Sequence, residues 1–203
     1  MKAQENNESQ IAPGKLELVR MFLNSWRIPN DTRQPEDIFG TREAIEQFFL
    51  SEFGELSSPI IPEQVRQLRT DLRHILGSDD IAVLNQWLVK LPVAVRLEED
   101  EKGQPLISYK PAEAPECQLC AVILALVVEA IAQHTWSRLK ACPDCHWVFY
   151  DHTKNRNKVW CLMVAGGPQG RSCGSIAKVR NFRERHKATT HQTGASTPQQ
   201  STS

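Results

Sequence analysis

The sequence predicts an α+β fold, with a mainly helical N-terminal domain carrying one β-hairpin and a small C-terminal module organised by cysteines. Three observations carry this. Apolar residues recur at helical spacing in residues 16–88 and run almost unbroken through residues 119–132, whereas the period falls to two around residues 93–109. Four of the six cysteines, Cys142, Cys145, Cys161 and Cys173, crowd into the last third beside aromatic side chains. A chain of 203 residues can build one domain with a substantial core plus an appendage that needs further help to fold.

Taken in order, residues 1–14 are too poor in apolar surface to repay ordering and are expected to be disordered, as is the Thr/Ser/Gln-rich tail, 189–203. Leu16, Val19, Phe22, Leu23 and Trp26 mark a first helix that Pro29, Asn30 and Asp31 break. Thr41 caps a second, with Ile45, Phe48, Phe49 and Phe53 on one face and Gly54 at its end. A third spans 62–76 through Val65, Leu68, Leu72, Ile75 and Leu76 and stops at Gly77; Ser78 or Asp79 caps a fourth with Ile81, Leu84, Trp87 and Leu88. Val93, Val95 and Leu97 answer Ile107 and Tyr109 across a charged turn at 100–103, the pattern of a hairpin. Pro111 and Pro115 then lead to the apolar helix of 119–132, expected to continue to about Leu139. Its apolar run of roughly 14 residues, interrupted by Glu129, falls short of the about 20 that span a bilayer, and residues 1–10 hold no apolar core of a secretory signal, so a cytosolic protein without membrane contact is expected.

Formal net charge is zero, yet residues 141–188 hold nine Lys and Arg against three acids, and the remainder holds 15 against 21. A basic module on an acidic body places any polyanionic partner at the C-terminal part. In a reducing compartment the cysteines read as metal ligands or core residues rather than disulfides. Cys142 and Cys145 form a CxxC knuckle, and Cys161 and Cys173 complete a four-thiolate set with no open position, the arrangement of one structural zinc ion rather than a catalytic one. Trp147, Phe149 and Trp160 supply a miniature core around it, and after Gly174 the residues Ile176, Val179 and Phe182 mark the apolar face of a basic helix. The sequence has no Gly-rich phosphate loop, GxSxG elbow or HExxH, and a zinc-bound thiolate is not free to attack, so no enzymatic activity is expected.

The run CPDCHWVFYDHTKNRNKVWCLM, followed by CG at Cys173 and Gly174 and by AKVRNFRERH, resembles the bacterial CGNR zinc-finger proteins, in which a treble-clef finger follows an N-terminal ABATE-type domain. The resemblance implies domains at 15–140 and 141–188 and a role in transcription regulation through DNA. On that reading Lys154, Arg156 and Lys158 of the turn, with Lys178, Arg180, Arg183 and Arg185 of the helix, neutralise phosphates, while Asn155, Asn157 and Asn181 are candidates for reading bases. Two departures from the family stand out: 11 residues separate Cys161 from Cys173, where about three are usual, and Ser175 and Ile176 replace an Asn and an Arg.

Other readings remain open at this level. Cys117 and Cys120 form a second CxxC that could pair with the knuckle as a ribbon, and His146 or His152 could replace a thiolate. The basic helix could dock on an acidic protein of a transcription complex, making the chain an adaptor, or the module could bind RNA if Trp147 or Phe149 is exposed for stacking. The N-terminal domain could sense a small effector, of which no polar cluster in 15–140 gives the identity.

Overall fold

The computed structural model describes residues 10–29, 31–55, 58–78, 80–112, 115–162 and 172–192, with backbone only at 181 and 184–192. It is a mixture of helices and small antiparallel hairpins. Helix α1 (Leu16–Leu23) buries Leu16, Val19, Phe22 and Leu23 and ends at Asn24. Trp26, expected to extend this helix, instead lies in strand β1 (Trp26–Arg27), paired with β2 (Glu36–Asp37). The chain leaves the helix at Asn24 because that side chain is held elsewhere, as described below. Asp37 then accepts the Phe39 amide at 2.9 Å and opens a 3₁₀ turn (Ile38–Gly40).

Helix α2 (Arg42–Phe53) begins as expected, with the Thr41 hydroxyl accepting the Ala44 amide at 3.3 Å and Gly54 at φ 81° taking the chain away. Helix α3 (Pro62–His74) has its proline in the first turn, where a missing N–H costs nothing. Helix α4 (Ala82–Lys90) is started by Asp80, whose carboxylate accepts the Ala82 amide at 3.0 Å, rather than by Ser78, which accepts from Asp80 itself; Asp79 lies outside the described residues. Ile81 precedes the helix and is exposed, so the expected stripe reduces to Leu84 and Trp87, with Leu88 partly buried.

Strands β3 (Val93–Glu99) and β4 (Pro105–Pro111) pair antiparallel in register from Val93↔Pro111 to Glu99↔Pro105, and Asp100 closes the turn by accepting the amides of Lys102 and Gln104. Val95, Leu97 and Ile107 alternate outward, into solvent. Helix α5 (Gln118–Ala132) is the central element, with Leu119, Ile123, Leu124 and Val127 all at 0% exposure. Each such side chain contributes about 1.5–3 kcal/mol by leaving water.

Helix α5 does not reach Leu139. It stops at Ala132 in a Schellman arrangement: His134 adopts φ 56°, its amide bonds to Ile131 O, and Thr135 N bonds to Ala130 O at 2.9 Å. The signal was hidden because His134, not glycine, takes the left-handed position. A 3₁₀ turn (Trp136–Arg138) follows, and Leu139 opens strand β5 (Leu139–Ala141), which pairs with β6 (Val148–Tyr150). One core joins α1 to α5 and takes in Leu139, Val148 and Tyr150.

Two expectations for the chain ends change. Gln10 and Ala12, assigned to the disordered N-terminal segment, are buried, and Gln10 bonds to the cysteine module. The last helix, α6 (Cys173–Gln192), continues into the stretch assigned to the tail. No helix among the described residues is long and apolar enough to cross a membrane.

Candidate metal centre

Between β5 and β6 the chain makes a tight turn in which Cys142 N donates to Trp147 O at 2.9 Å and His146 N to Cys142 O at 2.8 Å, with His146 at φ 58°. Cys142 and Cys145 lie on this turn. Cys161 comes from the loop beyond β6, and Cys173 is the first residue of α6. All four are buried, and their sulfurs lie within 4.8 Å of one another, with Cys145 to Cys161 at 3.4 Å and Cys161 to Cys173 at 3.8 Å. Thiolates at about 2.3 Å from a tetrahedral ion stand about 3.8 Å apart. The cluster therefore has the size and the donors to hold one metal ion.

Electrostatics point the same way. Hydrogen bonds from Cys145, Cys161 and Cys173 pull the Cys142 thiol far below its ordinary range, while the bonds that Cys161 donates to Cys142 and Cys145 push it far up. Four thiols this close cannot all ionise unless a cation joins them. Cys173 lies in the first turn of α6, where the helix dipole favours negative charge. Ser172 caps that start, its hydroxyl accepting the Ser175 amide at 3.4 Å.

Residues 138–186 match the family model of the CGNR zinc finger. The match begins at Arg138, whose carbonyl accepts the Asp151 amide at 2.8 Å and extends the finger's hairpin by one pair. No curated protein matches the chain. Within the CGNR finger, the long connection to Cys173 runs mostly through 163–171, outside the described residues, but its ends are close: Gly174 N donates to Leu162 O at 3.0 Å. An insertion whose ends already meet costs little extra loop entropy. At the other departure, Ser175 is exposed and bonds to Ser172 at 3.2 Å, and Ile176 is half-buried.

The finger is clasped by the helical region, which no pattern in the sequence foretells. Three backbone carbonyls at alternate positions take arginines: Asp144 O from Arg33 at 2.9 Å, His146 O from Arg73 at 2.6 Å, and Val148 O from Arg20 at 3.3 Å. Asn24 completes the grip like a strand residue, accepting the Val148 amide and donating to its carbonyl, both at 2.8 Å. Tyr150 N donates to Gln10 O and Gln10 Nε2 to Cys161 O, each at 3.0 Å. The outer edge of β6 is thus closed by residues from the start of the chain. Burial pulls Arg73 down to about 10, still charged at neutral pH, so it adds positive charge beside the thiolates.

A further residue that the sequence did not single out is Asp151, at 0% exposure. One carboxylate oxygen accepts the amide and hydroxyl of Thr153, at 2.9 and 2.6 Å; the other accepts Lys140 Nζ at 2.7 Å and Lys158 N at 2.9 Å. Burial alone would raise its pKa, but these donors outweigh it and hold the carboxyl at about 2. The signal was present in the D-x-T-K-N order, which places Thr153 two residues after Asp151 as an Asx turn requires.

The other candidates separate cleanly. Cys117 and Cys120 lie in the main core, outside the four-cysteine cluster, so the ribbon pairing is not formed. His146 packs its ring tilted against Trp26, centroids 5.9 Å apart, and His152 pairs its Nε2 with Ile11 O at 2.8 Å; neither joins the cluster. Phe149 is at 0% exposure and Trp147 is half-buried under Arg20, so neither offers an open stacking platform. Lys154, Lys178 and Arg183 are exposed. Arg180 is 62% exposed with Asp144 at 3.8 Å, whereas Arg156 bonds to Ser137 at 3.1 Å and Lys158 is half-buried with its ammonium over the Phe149 ring at 5.2 Å. Asn155 and Asn157 are exposed on the turn; the side chains of Arg185 and Asn181 lie outside the described residues. Val179 and Phe182, read as part of the apolar face of this helix, are 49% and 59% exposed, and Ala177 is buried.

Proposed function

We propose that this is a zinc-containing, non-catalytic regulator of transcription whose finger contacts DNA through α6. The observation that carries the reading is one helix whose first residue, Cys173, closes the metal cluster and whose next two turns hold Lys178, Arg180 and Arg183 at the surface. Zinc held by Cys142, Cys145, Cys161 and Cys173 supplies folding energy and leaves no position for substrate. The knuckle, hairpin and helix order fits a treble clef, and the helical region, read as an ABATE-type domain, holds the finger by its arginines. A surface groove of about 780 Å³ between α3 and α4, lined by Arg66, Asp71, Trp87 and Lys90 among others, has room for a small effector.

The test is binding of a labelled DNA duplex by the metal-loaded chain over a salt series. Affinity should fall steeply with salt, and Arg180→Ala with Arg183→Ala should flatten the slope by about 0.9 for each phosphate no longer neutralised. No binding at low salt overturns the reading. It would favour the adaptor, which the exposed Val179 and Phe182 on the same helix support as a docking face for an acidic protein.

A further inference from the structure

The first CxxC has no part in the metal centre or in the basic helix. Cys117 is the N-cap of α5 and Cys120 lies in its first turn, so the helix start folds the two side chains together: their sulfurs are 3.1 Å apart, and both residues are at 0% exposure. The four-cysteine cluster shows what thiols do here when they serve a metal. At Cys117 and Cys120, by contrast, no third His, Cys, Asp or Glu joins them among the described residues. Two ligands do not make a structural zinc site. What remains is the chemistry of a vicinal dithiol.

We infer that Cys117 and Cys120 form a reversible dithiol–disulfide couple, a modification site separate from the metal centre, whose oxidant is a small hydroperoxide. Four features favour it. The sulfurs need to approach by only about 1 Å to reach the roughly 2.05 Å of a disulfide. The two sulfurs are hydrogen-bonded to each other, and this bond, with the amides of Cys120, Ile61 and Leu119, draws Cys117 down to about 6, while the same bond and burial push Cys120 up, so Cys117 is the sulfur that ionises. The helix start favours a negative sulfur at Cys117 and therefore the nucleophile. Complete burial selects for size: a peroxide can enter during a local opening, whereas a protein disulfide cannot reach the pair without unfolding α5 from the core.

The chemistry balances. The Cys117 thiolate attacks one oxygen of hydrogen peroxide, the O–O bond breaks, and hydroxide leaves with the electron pair and takes up a proton as water. The Cys117 sulfenic acid is then attacked by the Cys120 sulfur; the S–S bond forms, the S–O bond breaks, and the hydroxyl leaves as water with the Cys120 proton. Two thiols are oxidised by two electrons and one peroxide is reduced to two waters. A thiol reductant reverses the bond by exchange.

The experiment uses the full chain, reduced and zinc-loaded, treated with graded hydrogen peroxide, denatured, alkylated and peptide-mapped, with zinc measured in parallel. The expected result is a loss of two hydrogens confined to the peptide holding Cys117 and Cys120, restored by dithiothreitol, at peroxide levels that leave the zinc bound. In Cys120→Ser the peptide should instead carry a Cys117 sulfenic acid that dimedone traps. The inference is overturned if both thiols stay alkylatable until zinc is lost, or if either pairs with a cysteine of the metal centre. The map of the unmutated chain decides alone, so a variant that fails to fold does not shield the claim.

Discussion

Replacing Asn24 with Leu keeps the volume and removes both bonds to Val148, which makes it the most direct probe of how the finger is held. Asn24 is 6% exposed, and its two bonds are each 2.8 Å long. Losing the bond to the Val148 carbonyl costs about 1 kcal/mol, and losing the one to its amide, which strands that donor without a partner, costs about 1–3 kcal/mol. The carbonyl suffers less, because Arg20 still reaches it at 3.3 Å. The expected loss is about 2–4 kcal/mol. It should appear in urea unfolding of the zinc-loaded protein, and as amide exchange at Val148 and Tyr150 faster by roughly 30-fold to several-hundred-fold. Zinc content should stay at about one per chain. A destabilisation below about 0.5 kcal/mol, well under the value of one hydrogen bond, with unchanged exchange would refute the idea that this edge couples finger to helical domain.

The same geometry sets three further outcomes. Serine at Cys142, Cys145, Cys161 or Cys173 should abolish stoichiometric zinc by elemental analysis, whereas serine at Cys117 or Cys120 should retain it; zinc kept after Cys173→Ser would remove the helix start from the centre. Asp151→Asn puts a donor against Lys140 and Lys158 N and should cost about 3 kcal/mol in denaturant unfolding. Because the Asp151 carboxyl sits at about 2, below its ordinary 3.8, its contribution is complete above pH about 4 and fades as pH falls towards 2. The gap between wild type and Asp151→Asn, both in the same metal state, should narrow across that window, and a gap independent of pH would contradict the ion-pair account. Thr41→Ala should cost about 1 kcal/mol by removing the cap of α2, measured by thermal unfolding.

The elements that were legible were those with a strong local cause. Thr41, Pro62, Gly54 and Gly77 punctuate the helices where the side-chain chemistry demands it, and the hairpin followed from alternation alone. The four-cysteine cluster was readable because a knuckle fixes two ligands locally and metal chemistry asks for two more. What escaped was non-local or disguised. The end of α5 hides behind His134 in a conformation usually left to glycine. The arginines at 20, 33 and 73 carry no local signal, since nothing in their own segments shows the carbonyls they meet more than 70 residues away. Val179 and Phe182 show the reverse case, a helical stripe that stays 49% and 59% exposed.

The closed edge of β6 bears on how portable this finger is. Zinc fingers are commonly treated as beads that can be cut out and strung elsewhere, because the ion brings its own folding energy. Here the ion would organise the knuckle, but a fragment cut at Arg138 would bare the main chain at Val148 and Tyr150. An uncovered rim of that kind recruits other strands. A graft would have to carry Gln10, Asn24 and the three arginines as a collar, so the unit of exchange is the finger together with the face that grips it.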